Sequence, residues 1–152
     1  MPVEVGQLAP DFTLSDQHGT DVTLSSFRGG KAVLVVFYPF AFTGTCTGEL
    51  TAINEHVASF ETDERTVLIV SCDTKYAQRV FAEYEDYHFR LLSDFWPHGE
   101  VAKEYGVFLE SRGCALRATF LVDLEGVVRW SVVQGLGDAR DVTAYETAFA
   151  AL

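Results

Sequence analysis

Residues 32–38 read AVLVVFY, a run of small, β-branched and aromatic side chains with no polar member before Tyr38. A strand wetted on one face alternates apolar with polar residues. A run without alternation belongs to a strand covered on both faces, and so to a sheet with a layer packed on each side. TVLIVSC at 66–72 makes the same demand. Between the two, Leu50, Ile53, Val57 and Phe60 recur at intervals of three and four, which is one face of a helix starting near Thr43. Two buried strands joined by a helix run parallel and need a right-handed crossover.

The flanking segments fill in the sheet. DFTLSD and DVTLSSF alternate around a QHG turn and predict an N-terminal β-hairpin. Tyr76, Val80, Phe81 and Tyr84 mark a second amphipathic helix, and LLSD is a short strand or loop. GEVAKEYG predicts a short helix that Gly106 ends. TFLVD and VVRWSVV around LEG form a second hairpin, and ARDVTAYETAFAAL closes the chain as a helix with Val142, Tyr145 and Phe149 inward. The expectation is a single α/β domain over residues 1–152: a thioredoxin-like fold with a central mixed sheet flanked by helices.

Charge excludes some functions. Asp and Glu number 22 against 11 Lys and Arg, for a formal net charge of −11. Such a surface suits neither a phosphate backbone nor an anionic membrane. No signal peptide is recognisable in MPVEVGQLAPDF, and the apolar run from Ala32 to Phe42 is far short of the ~20 residues of a spanning helix. A soluble, cytoplasmic protein with no nucleic-acid or membrane partner is expected.

The most informative stretch is the junction PFAFTGTC, Pro39 to Cys46, where the first buried strand gives way to the helix. Carboxyl edges of such sheets are where α/β folds place their chemistry. If the helix starts at Thr43, its hydroxyl caps the first turn by accepting the Cys46 N–H. Cys46 then sits where unpaired N–H groups and the helix dipole favour a thiolate. Pro39, with no N–H and a fixed backbone, ends the strand.

PFAFTGTC matches the PxxxTxxC signature of the peroxiredoxins, and Glu49 follows three residues later. APDFTL, LLSDFWPHG and RATFLVD occur in the order that family shows. The whole chain resembles a peroxiredoxin of the one-cysteine type, and within it the actinobacterial alkyl hydroperoxide reductase E group. The resemblance implies a thiol-dependent peroxidase that reduces hydrogen peroxide and organic hydroperoxides, with peroxynitrite a further candidate, in antioxidant defence. Cys46 would be the peroxidatic cysteine, and Thr43 would hydrogen-bond peroxide and sulfur. Pro39 would shield the sulfenic acid, and Arg117 would be the distant active-site arginine, oriented by a salt bridge from Glu49. No metal, haem or flavin is implied, and the three cysteines show neither CxxC nor Cys/His ligand spacing.

Regeneration is less determined. Thr51 stands where an in-helix resolving cysteine would be, and the chain ends at Leu152 without the arm of two-cysteine members. Cys72, closing the second buried strand, is expected in the core. Cys114 lies in a loop-like SRGCALR stretch and is expected to be exposed, either an ordinary loop cysteine or a resolving thiol. The one-cysteine reading calls for an external thiol: mycothiol with a glutaredoxin-like mycoredoxin, as the resemblance implies, or thioredoxin. The family also implies a homodimer, with Phe95 and Trp96 as anchors. Two other classes compete. A thioredoxin-like disulfide reductase lacks its second cysteine here, since the helix start reads CTGE. A peroxide-sensing redox switch or holdase without sustained turnover is not distinguished by sequence. His18, His56, His88 and His98 show no sequence link to Cys46 that would make a Cys–His hydrolase.

Overall fold

A computed structural model describes residues 1–152. Its main sheet has seven strands in the order β2-β1-β5-β4-β3-β8-β9. At the centre are β3 (Ala32–Phe37) and β4 (Arg65–Ser71), paired in parallel, with β5 (Arg90–Ser93) parallel beyond β4. The hairpin β1 (Thr13–Asp16) and β2 (Asp21–Thr23) adds antiparallel to β5. On the other side β8 (Arg117–Val122) runs antiparallel to β3 and pairs with β9 (Val128–Gln134). All six residues of β3 are buried, as the unbroken apolar run requires.

Because side chains alternate across a strand, β3 feeds two cores. Val33, Val35 and Phe37 face a cluster containing Phe12, Tyr105 and Phe120, to which α4 (Glu100–Glu104) contributes Val101 and Ala102. Leu34, Val36 and Tyr38 face the opposite cluster, built by α1 (Gly44–Glu55), α2 (Val57–Phe60), α3 (Lys75–Glu85) and α5 (Val142–Ala150). Gly106 ends α4 with φ +73°, a conformation open to glycine, and any Cβ there would collide with the Met1 carbonyl.

Three local expectations are corrected. The helix after Thr43 breaks at His56, so Leu50 and Ile53 belong to α1 and Phe60 to the one-turn α2. In α3 the buried residues are Gln78, Phe81 and Ala82, whereas Tyr76, Val80 and Tyr84 point to solvent at 71%, 56% and 80% exposure. The segment around Cys114 is no open loop: β6 (Phe108–Leu109) and β7 (Cys114–Ala115) form a small antiparallel pair with Leu109 opposite Cys114. That pairing turns the Cys114 side chain inward, where it is fully buried. No helix is long and apolar enough to cross a membrane.

Candidate active site

The turn from β3 into α1 carries Pro39, Thr43 and Cys46. Pro39 is buried directly after Tyr38, and Thr43 is the N-cap of α1 in extended backbone, as expected. Its hydroxyl, however, does not cap. It donates to the Phe40 carbonyl at 2.9 Å, and no side-chain bond reaches the Cys46 N–H. The reason lies in Phe42, whose φ of +66° is a left-handed conformation uncommon for a bulky residue. This kink folds the turn back so that the hydroxyl meets Phe40 instead. The Phe42 ring rests 4.9 Å from that of Phe81.

Cys46 lies in the first turn of α1, with its side chain fully buried among Tyr38, Leu50, Ile53 and Phe81. Tyr87 fixes this helix from the side, donating to the Thr47 carbonyl at 3.1 Å and pairing with the Thr51 hydroxyl at 3.2 Å. Burial, then the Asp73 charge, pushes the Tyr38 phenol far above its ordinary value, so this neighbour of Cys46 stays protonated.

Three residues on, and therefore on the same side of α1, Glu49 is buried and ionised. Arg117 Nη1 donates to its Oε1 at 2.5 Å, and Arg117 Nε donates to the Leu136 carbonyl at 2.6 Å. Only 2% of Arg117 is exposed, which rules out an ordinary surface arginine on a strand edge. Its Nη2 makes no hydrogen bond within the chain and remains available to a ligand. Burial alone would raise the Glu49 carboxyl, but hydrogen bonds and charge from Arg140, with the Arg117 charge, hold it below its ordinary value.

The other two cysteines are buried in the core. Cys72, immediately after β4, is buried at 6% exposure, and its thiol is pushed up to about 12 by burial and then by the charge of Asp94. Burial also raises the Cys114 thiol; Arg112 and Arg117 oppose the rise, and Cys46 adds to it. Both behave as core thiols. His98 is a loop anchor, its two ring nitrogens meeting the Phe95 and Gly113 carbonyls.

Residues 5–131 match the family model described as AhpC/TSA family. Alkyl hydroperoxide reductase E of Mycobacterium tuberculosis is 45% identical over 150 residues, covering 99% of this chain and 98% of the relative. The chain belongs to the AhpC/TSA family and is a peroxiredoxin. Among solved structures, AhpC of Enterococcus faecalis superposes with a TM-score of 0.89 at 28% identity, covering 99% of this chain and 92% of that one. Peroxidoxin BcpB from Mycobacterium tuberculosis gives 0.83 at 30% identity, covering 97% of this chain and 94% of the other. The thioredoxin-like fold and the thiol-dependent peroxidase class expected from the sequence both stand.

Two residues of this peroxiredoxin were not singled out by sequence. Arg140 is buried and fully engaged. Its backbone N–H and Nε donate to Glu49 Oε2 at 2.6 and 2.8 Å, and Nη2 donates to Oε1 at 3.0 Å. Its Nη1 reaches the Phe37 carbonyl at 2.7 Å and the Thr119 hydroxyl at 3.1 Å. Set between Asp138 and Asp141, it reads as a solvated cation; the available signal was that no other basic residue follows Arg129. Asp73, the second, accepts the Ala41 N–H inside the Pro39–Thr43 turn at 2.9 Å.

Proposed function

We propose that Cys46 is the peroxidatic cysteine and that Arg117, Thr43 and Pro39 complete its site, with Glu49 orienting Arg117. The observation that carries this reading is the Arg117 guanidinium, fixed through Nε to Leu136 and through Nη1 to Glu49, which itself lies one helical turn from Cys46, with Nη2 left free. A donor so fixed is set for an oxygen that gains charge as a peroxide bond breaks.

In the reaction the Cys46 thiolate attacks the distal oxygen of a hydroperoxide. The S–O bond forms as the O–O bond breaks, sulfur loses two electrons, and the alcohol or water leaves with a proton. Phe40 and Phe42, both exposed beside the turn, suit the organic part of an alkyl hydroperoxide. The Cys46 sulfenic acid is then reduced by an external thiol, because the other two thiols are buried and their thiolates disfavoured. Mycothiol with a glutaredoxin-like protein is the pair suggested by the likeness to the mycobacterial reductase, and the protein acts in the cytoplasm. A homodimer is supported by Phe95 and Trp96, which stand 45% and 81% exposed.

The experiment is intact mass spectrometry after one equivalent of peroxide with a sulfenic-acid trap present, on the wild type, Cys46→Ser and Cys114→Ser. A trapped adduct on wild type and Cys114→Ser, absent from Cys46→Ser, is expected. Loss of two hydrogens in the wild type, with the adduct appearing only in Cys114→Ser, would instead make Cys114 the resolving cysteine.

A further inference from the structure

We propose that Asp73 is a positioning residue: it holds the Pro39–Cys46 turn in the geometry for peroxide attack, and releasing it admits the reducing thiol. The inference rests on the reading of Cys46 above.

Four observations converge. The Ala41 N–H lies in a turn with no strand partner, and Asp73 Oδ2 accepts it at 2.9 Å, a bond strengthened by the carboxylate charge. Asp73 is itself fixed. Its Oδ2 also accepts the Ser71 hydroxyl at 2.7 Å, and its carbonyl accepts the Ser93 hydroxyl at 2.7 Å. Ser71 is braced in turn by Gln78 Nε2 at 3.0 Å, and that same nitrogen donates to the Leu92 carbonyl at 2.8 Å. Ser71 and Gln78 are fully buried, so the support belongs to the rigid corner of β4, β5 and α3.

The third observation is the left-handed Phe42, immediately after the anchored N–H. Strained backbone persists only where its surroundings over-determine it. Here Asp73 holds one side, and the Thr43–Phe40 bond and the Phe81 ring hold the other. The fourth is that Cys46 is fully enclosed. A peroxide is small, but a thiol must bring a sulfur with its substituent onto the Cys46 sulfenic acid, displacing water as the S–S bond forms. That approach requires a wider opening of the turn than the terminal oxygen of a peroxide does. One hydrogen bond therefore favours the first half-reaction and opposes the second.

The test follows each half-reaction of the full-length protein in single turnover, for wild type, Asp73→Ala and Asp73→Asn. Quench-flow with intact mass reports peroxide oxidation as the gain of one oxygen, and 2-nitro-5-thiobenzoate reports reduction of the sulfenic acid. Asp73→Ala is expected to slow the peroxide step about 10-fold, the scale of one lost charge-assisted hydrogen bond, and to speed the thiol step. Asp73→Asn keeps an acceptor oxygen and should recover much of the loss. Should Asp73→Ala fail to fold, Ser71→Ala, which removes the hydroxyl that fixes the carboxylate, carries the same opposite-sign test. Two half-reactions that fall together with the melting temperature, or that stay unchanged in folded Asp73→Ala or Ser71→Ala, would overturn the proposal. A wild type unreactive at Cys46 would instead overturn the reading of the site.

Discussion

Arg140 grips Glu49 from both ends of its carboxylate, with its own backbone N–H on Oε2 and Nη2 on Oε1. Arg117 takes the remaining approach to Oε1, so one buried anion satisfies two buried cations. Removing the anion leaves both cations uncompensated. Glu49→Gln should cost about 3–5 kcal/mol in urea unfolding at pH 7. The Glu49 carboxyl is held below its ordinary 4.5 in the folded protein. Its contribution is therefore present above that value and lost as pH falls through the depressed folded value. The stability gap between wild type and Glu49→Gln should close on acidification below about pH 4.5; a gap constant with pH would show that the carboxylate charge is not what is lost.

Arg117 differs from Arg140 in having an unoccupied nitrogen, and the two variants should differ accordingly. Arg117→Lys retains a positive charge, but its single ammonium nitrogen cannot span Glu49 and Leu136 as the planar fork does while a separate nitrogen faces the ligand. The second-order rate constant for peroxide should fall about 100-fold, the scale of a lost transition-state donor. Its melting temperature should fall less than that of Arg140→Lys, since the four side-chain hydrogen bonds of Arg140 are all structural. Stopped-flow oxidation alongside thermal melts checks both halves.

The contrast explains what the sequence could and could not reveal. β3 and β4 were legible because an unbroken apolar run has few interpretations, and Cys46 because the turn's spacing repeats a known pattern. Glu49 and Arg117 were legible only through that pattern. Arg140 was hidden by its acidic neighbours: nothing local tells a solvated arginine from one drawn inward by a carboxylate 91 residues away. Cys114 was misplaced because a two-residue strand leaves no periodicity to read. On α3 the aromatic residues Tyr76 and Tyr84 suggested the core, yet Gln78 takes the buried place by donating to Ser71 and Leu92. Side-chain hydrogen bonding there outweighs hydrophobicity.

Cys72 and Cys114 should be chemically silent in the folded protein. With the Cys72 thiol near 12, its thiolate fraction at pH 8 is about one part in ten thousand, and the thiolate is the reactive form. Limited iodoacetamide treatment followed by peptide mapping should leave both unlabelled until denaturant is added. Labelling of Cys72 without denaturant would mean that the end of β4 opens in the native state.

Asp94 gives stability a pH dependence opposite to that of Glu49. Its carboxylate accepts the Val101 and Ala102 N–H groups at 3.1 and 2.9 Å, fastening α4 to the end of β5. Burial nevertheless pushes its carboxyl up from 3.8 to about 6, against those two bonds. A raised folded value means that the folded protein holds a proton the unfolded chain has released. The associated stability is fully present below pH 3.8 and is lost as pH rises through about 6. Relative to Asp94→Asn, which cannot titrate, the wild type should gain stability as pH falls from 7 toward 4. The slope between them should approach about one proton. Urea unfolding of both proteins at half-unit intervals measures it, and parallel curves would place the Asp94 titration outside this window.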